Sequence, residues 1–522
     1  MRRSMTLTCA LAGGLALAVL VARPKADQKF DFGLFIADQL RDHSEFLFGF
    51  SHPLKESVLG PYDGTDNTQA IQVAQGLKVS LVSSSVASAA DQIALWPDDE
   101  HPTHLFVCDE ETTNPAVQRI DLSKPPSSNA TTIITGLVAC DPVRRTPWGT
   151  IIVAEEAGAT GGLYEILDPL SINAPINVTN RDAGITSDPN HLVKRKAVGS
   201  LSFESFAIRK DGSMIYGDEL APASGSAGGA LYKFVPAVPY LGTGHPAVTQ
   251  PQLSPLASGA VYGLRVAANG SSNWGQGAEV GKGRWVAIDT APAGVVDING
   301  NIILRNAQTL QKFTGYYRPE DMDIDPIAAR NGIFRACWAN TGRLNFGGGT
   351  ITENSAVHGE IMCVVEEPST STPPAPTGTV PVVTRFVVGS QEAGMFDNVA
   401  FQPHTGNLVV LEDGPTTIQT ANGTQPRGND LWICLPDGDD DDTLSDGCVR
   451  FASVRDTSAE PTGFIFLGSG ESAFVNIQHR AVNDAAGPGN HGALVKISGF
   501  KVRGRDHDDD HGHGHDHDWR WQ

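Results

Sequence analysis

A hydrophobic strand that runs straight into carboxylates recurs along this chain, and that repeat limits the fold more than any other feature. It is plainest in RTPWGTIIVAEE (145–156), where the apolar run from Ile151 to Ala154 is followed at once by Glu155 and Glu156. The same punctuation closes VCDEE (107–111), YGDE (216–219) and VLEDG (410–414), while VNIQH (475–479) ends in an amide and an imidazole. Each stretch follows one short β-type run and precedes another, as expected for antiparallel meanders joined by polar turns. In order, the units begin at DQIALWP, TPWGT, FESFAI, PEDMDID, DNVAFQP and PTGFIFL. GAVYGLRV and GRWVAID extend the third sheet, and the Ser/Thr/Pro-rich 368–381 reads as an exposed loop between strands of one unit.

A chain of 522 residues exceeds what one ordinary core holds, unless repeated sheets are arranged radially. Six units of three or four strands with almost no helical periodicity predict an all-β chain, a six-bladed β-propeller with loop insertions over 90–502. A pair of β-sandwiches is the rival, but sandwiches have no reason to repeat acids at matched positions. Residues 27–89, with Phe30, Phe32, Phe35, Phe46, Phe48 and Phe50, read as an N-terminal segment packed on that body.

Residues 1–26 place Arg2 and Arg3 before an apolar run from Leu7 to Ala22 and small residues at Ala22 and Ala26, the pattern of a secretory signal peptide. The run falls short of the ~20 residues a bilayer span needs. The expected location is therefore secreted or periplasmic, with no stable membrane insertion after cleavage. Export favours disulfides. Six cysteines follow the signal, and sequential pairing is expected: Cys108 with Cys140, Cys337 with Cys363, and Cys434 with Cys448. The His/Asp-rich tail 503–522 reads as disordered. A formal net charge of −21 argues against nucleic acid as a partner.

In such a propeller the innermost strands line one channel. The first strands bring Asp91, Glu204, Glu320, Asn398 and Thr462. The ends of the second strands bring Glu110, Glu155, Glu156, Asp218, Glu219, Glu412, Asp413 and His479. Carboxylates crowded together stay ionised only if cations neutralise them, and oxygen donors suit calcium or magnesium. Trp148, between Pro147 and Gly149, reads as a packing anchor rather than a substrate wall. DGDDDDTLSD (437–446) lacks the glycine and distal glutamate of an EF-hand. GxSxG, Walker and HExxH motifs are absent.

TPWGT with its EE, FESFAI with YGDE, RPEDMD, FDNVAF with LEDG, and EPTG with VNIQH together resemble the PhoX-type alkaline phosphatase family, in order, over 140–498. The resemblance implies a six-bladed propeller, exported from bacteria, whose channel holds calcium and iron and hydrolyses phosphate monoesters. Residue by residue it implies metal ligation by Glu155, Glu156, Glu204, Asp218, Glu320 and Asp413. Arg318 would hold the substrate phosphate and act in catalysis with Glu320. The family's strand before the paired glutamates ends in an iron-ligating cysteine where this chain has Ala154, so calcium without iron is expected. Phe203 stands where the family often has histidine. The reading is calcium-assisted hydrolysis of a small phosphate ester. Its rivals are a non-catalytic, calcium-stabilised binding module and a calcium-dependent lactonase-like hydrolase.

Overall fold

The computed structural model describes residues 39–58, 62, 66–111, 116–222, 227–244, 246–266, 279–342, 358–370, 375–390, 392–414, 417–420, 423–438, 442–478 and 492–502. The proposed signal peptide, His479 and the acidic tail lie outside them.

Antiparallel strands dominate. The first unit pairs Ala90–Trp96, His104–Asp109, Ala116–Asp121 and Ala130–Thr135 in sequence order, with Ile176–Asn180 and Ile185–Thr186 added at the outer edge. The second comprises Cys140–Arg145, Ile151–Glu155, Leu163–Ile166 and Leu192–Lys194. Two further meanders, Ala207–Ile208 through Gly281–Ala287 and Pro319–Ile324 through Thr379–Val388, share one nine-stranded sheet because Gly281–Ala287 pairs with Thr379–Val388. Phe396–Phe401, Leu408–Glu412, Asp430–Cys434 and Cys448–Val454 form the next sheet, followed by Glu460–Phe466, Ser472–Gln478 and Ala493–Ser498. GAVYGLRV and GRWVAID extend the third unit as expected.

The second strands are buried on both faces, as in Ile151–Glu155 and Leu408–Glu412, so they read as continuous apolar runs rather than alternating ones. Apolar layers lie between consecutive sheets. Phe106 and Val117 meet Val153 and Ile166, and Ile152 and Leu163 meet Tyr216 and Phe234. Leu264 and Trp285 meet Trp338 and Val364, and Ile361 and Phe386 meet Leu408 and Trp432. Val409 and Phe451 meet Val475 and Ile497, and the last layer sets Phe474 and Leu494 of the final sheet on Ile93 and Val107 of the first. The series thus returns to its start. The three disulfides pair sequentially, as expected.

The N-terminal segment is built into the sheets rather than only resting on them. Ile71–Val73 is the outer strand beside Cys448–Val454, and Lys78–Ser83 is the outer strand beside Ala493–Ser498. Phe48 and Phe50 are buried and stack at 5.7 Å, with Phe50 reaching Phe451 and Phe500, whereas Phe46 is exposed. Phe50→Ala should therefore destabilise the protein by about 3–5 kcal/mol, read as a lowered denaturant midpoint.

Candidate metal centre

First strands carry an extra residue near their start. Between Ala90 and Ile93, Cys140 and Val143, Pro319 and Met322, Phe396 and Val399, and Thr462 and Ile465, the register against the second strand shifts. Such a bulge re-aims a side chain that regular pleating would send elsewhere. The bulges hold Asp91, Asp141, Glu320 and Asp397. Glu204 occupies the matching place in the third unit, after Phe203, which bridges to Asp218. In the last unit Gly463 sits there at φ +58°, and a Cβ would collide with the Asp91 carbonyl oxygen. Glu460, earlier in that strand, supplies the carboxylate instead.

Strand alternation splits the acid pairs that follow the second strands. At three of these ends the first member turns away from the centre onto an arginine of the surrounding frame. Glu155 accepts from Arg181 Nε at 2.6 Å and from the amides of Val138 and Gly162. Asp218 is held by Arg305 at 2.8 Å and by the Ser202 amide, and Glu412 by Arg427 and Trp432. The second members, Glu110, Glu156, Glu219 and Asp413, share the centre with the bulge carboxylates.

Three groups of oxygens result, each lying within 4.8 Å of one another: Asp91, Glu110 and Asp141; Asp141, Glu156 and Glu204; and Glu204, Glu320 and Asp397. They overlap through Asp141 and Glu204, each of which belongs to two of the groups. Among the described residues, Oδ1 of both Asp91 and Asp141 is buried with no hydrogen-bond partner, which leaves each open to a cation. Gln478 Nε2 donates to Asp91, Glu110 and Glu460, each at 3.2 Å. Burial, then mutual repulsion, drives the carboxyls upward. Asp91, Asp141, Glu204, Glu320 and Glu460 rise well above their ordinary range, Glu156 to about 9, Asp397 to about 8 and Glu110 to about 7.

Arg318 stands at the cluster's edge in the left-handed region, φ 52°. Its Nε donates to Glu219 at 2.5 Å and its Nη2 lies 3.0 Å from Glu320, which also accepts from Thr341 at 2.7 Å. The structure thus brings together Glu156, Glu204, Glu320 and Arg318, with Asp413 acting on Asp397 and Glu460. It sets Glu155 and Asp218 apart, since arginines already take their oxygens. Asn398 and Thr462 serve the frame, bonding the Gly463 amide and the Ala90 carbonyl. Trp148 is a packing anchor, fully buried with its indole donating to Glu165 at 2.6 Å. Asp141, Asp397 and Glu460 escaped the sequence reading, although an acid near the start of each first strand was the available signal.

Ala154 opposes the bulge at Asp141 and packs in the apolar layer with Trp148, Leu163 and Phe203. A methyl group at that position brings no ligand atom, and the three carboxylate groups of the centre offer oxygen donors.

Residues 182–481 match the family model of alkaline phosphatase PhoX, over half the chain. The chain belongs to the PhoX alkaline phosphatase family. As a PhoX member it is a phosphoric ester hydrolase. The match covers Glu204, Arg318, Glu320 and Asp413 but begins after Asp91, Asp141 and Glu156, a narrower span than the motifs suggested. Pseudomonas fluorescens PhoX, solved in complex with vanadate, a transition state analogue, shares the fold. The TM-score is 0.59 at 15% identity, over 87% of this chain and 98% of that one. More remote are a putative glucose dehydrogenase from Thermus thermophilus (TM-score 0.40, 10% identity, 81% of this chain, 100% of that one) and a gluconolactonase from Xanthomonas campestris (0.34, 11%, 86% and 100%). No curated protein sequence matches. Among the described residues, no helix is long and apolar enough to cross a membrane.

Two outcomes follow from this geometry. Glu155→Gln should cost roughly 2 kcal/mol of stability with metal content unchanged, whereas Glu156→Gln should lower metal content, both read by thermal unfolding with elemental analysis. In chelated protein the raised carboxyls bind protons that the unfolded chain releases, so stability falls as pH rises from about 5 to about 9. Thermal unfolding across that range, with and without calcium, checks the sign.

Proposed function

We propose that this PhoX member is an exported phosphatase that hydrolyses phosphate monoesters at calcium ions held in the centre of a six-bladed propeller. The observation that carries the reading is the run of three overlapping carboxylate groups beside one arginine. The return of the apolar layers to the first sheet supports six blades. The three disulfides suit an oxidising compartment and so support export.

Asp91, Glu110, Asp141, Glu156, Glu204, Glu320 and Asp397 would hold the ions. Bound there, calcium supplies positive charge against the phosphoryl oxygens as negative charge builds in the transition state. The protein's own part is positional. Glu219 and Glu320 fix the Arg318 guanidinium, whose fork suits two phosphoryl oxygens. Thr341 orients Glu320. The apolar layers behind the bulges keep water from the backs of the carboxylates, which strengthens every charge interaction inside.

Arg318 and the number of carboxylates favour a phosphate over a lactone, because a lactone needs no cationic clamp and one calcium needs fewer acids. The binding-module rival draws its support from Ala154, but the three carboxylate groups assemble without a ligand from that position.

Hydrolysis of an aryl phosphate by the purified protein tests the proposal. Turnover should vanish on chelation and return with calcium alone. Glu320→Gln should cut kcat at least about 100-fold while the protein stays folded. Unchanged turnover after complete calcium removal would sink the mechanism.

A further inference from the structure

Beneath the carboxylates lies a guanidinium that ties several units together. Arg144 belongs to Cys140–Arg145, and its Nη1 donates to Gln92 Oε1 at 2.6 Å. Its Nη2 donates to Asp321 Oδ1 at 2.6 Å and more weakly to Ser205 Oγ at 3.3 Å. Gln92, Ser205 and Asp321 are all buried, and each stands one residue after a carboxylate of the centre: Asp91, Glu204 and Glu320. Arg144 itself lies three residues after Asp141. The brace continues outward, for Gln92 donates to the Glu204 carbonyl and Asp321 Oδ2 accepts from the Val399 amide at 3.1 Å.

We propose that Arg144 is a positioning residue for the metal centre, setting the mutual spacing of Asp91, Asp141, Glu204 and Glu320 from below. The proposal rests on reading that cluster as a cation centre. Four carboxylates arrive there from four separate units, and among the described residues no strand pairing joins the first strands of those units to one another. A planar fork that bonds three neighbouring segments supplies that tie, in a geometry that a lysine ammonium does not reproduce. The effect is not simply one of charge. Asp321 already neutralises Arg144 at 2.6 Å, so the pair presents little net charge to a cation above.

The experiment compares the wild type with Arg144→Lys, Arg144→Gln and the double variant Arg144→Gln/Asp321→Asn. The double variant removes the stranded carboxylate and so protects folding. Arg195→Gln, which breaks a buried pair with Glu165 away from the centre, is the control. Calcium affinity is measured by calorimetric titration of chelated protein, alongside kcat and KM on an aryl phosphate and thermal unfolding. In the double variant, calcium affinity should fall at least about tenfold and kcat should fall more than KM changes, with Tm near that of the wild type. Arg144→Lys should recover Tm but not full calcium affinity. Arg195→Gln should lower Tm and leave calcium affinity within about twofold. A double variant that binds calcium as tightly as the wild type overturns the role of Arg144 alone. A wild type that binds no calcium overturns the reading of the centre together with it.

Discussion

The constraint on which this structure turns is the cost of gathering carboxylates where water cannot reach them. Asp91, Asp141, Glu204, Glu320 and Asp397, with half-buried Glu460, are drawn from six units and gathered close to one another, with desolvation and repulsion both opposing their charge. A core built for stability alone has no use for such a set. The frame around it is accordingly redundant, with an apolar layer between every consecutive pair of sheets and disulfides between neighbouring strands.

Neighbouring acids meet opposite fates inside that frame. Glu155 and Glu156 share a strand end, yet Glu155 is neutralised by Arg181, from the hairpin at the outer edge of the first sheet, while Glu156 faces Glu219 and Glu320. The same division separates Asp218 from Glu219 and Glu412 from Asp413. Pleating alone produces it, because successive side chains of a strand point to opposite faces. The inward acids form the centre, and the arginine-paired acids anchor the strand ends that present them.

The repeat, the extended third sheet, the sequential disulfides and the phosphatase family were legible from residue order, since each rests on local pattern or pairing. The FES and RPED motifs pointed to Glu204, Arg318 and Glu320, which the structure brings together. Sequence also grouped Glu155 and Asp218 with the metal ligands, because it shows adjacency but not facing, and the structure pairs them with Arg181 and Arg305. Asp141 and Asp397 were passed over for a related reason. Their side chains reach the centre only because a bulge shifts them, and a bulge is visible only as a difference between two paired strands.

The sequence by itself determined that this chain forms β meanders punctuated by acids, because apolar runs and turn residues act over a few positions. Only the tertiary structure decided which oxygens face one another and that Arg144 bonds the segments that carry them. Those relations join residues far apart along the chain, and they exist only once the last apolar layer seats the final sheet against the first.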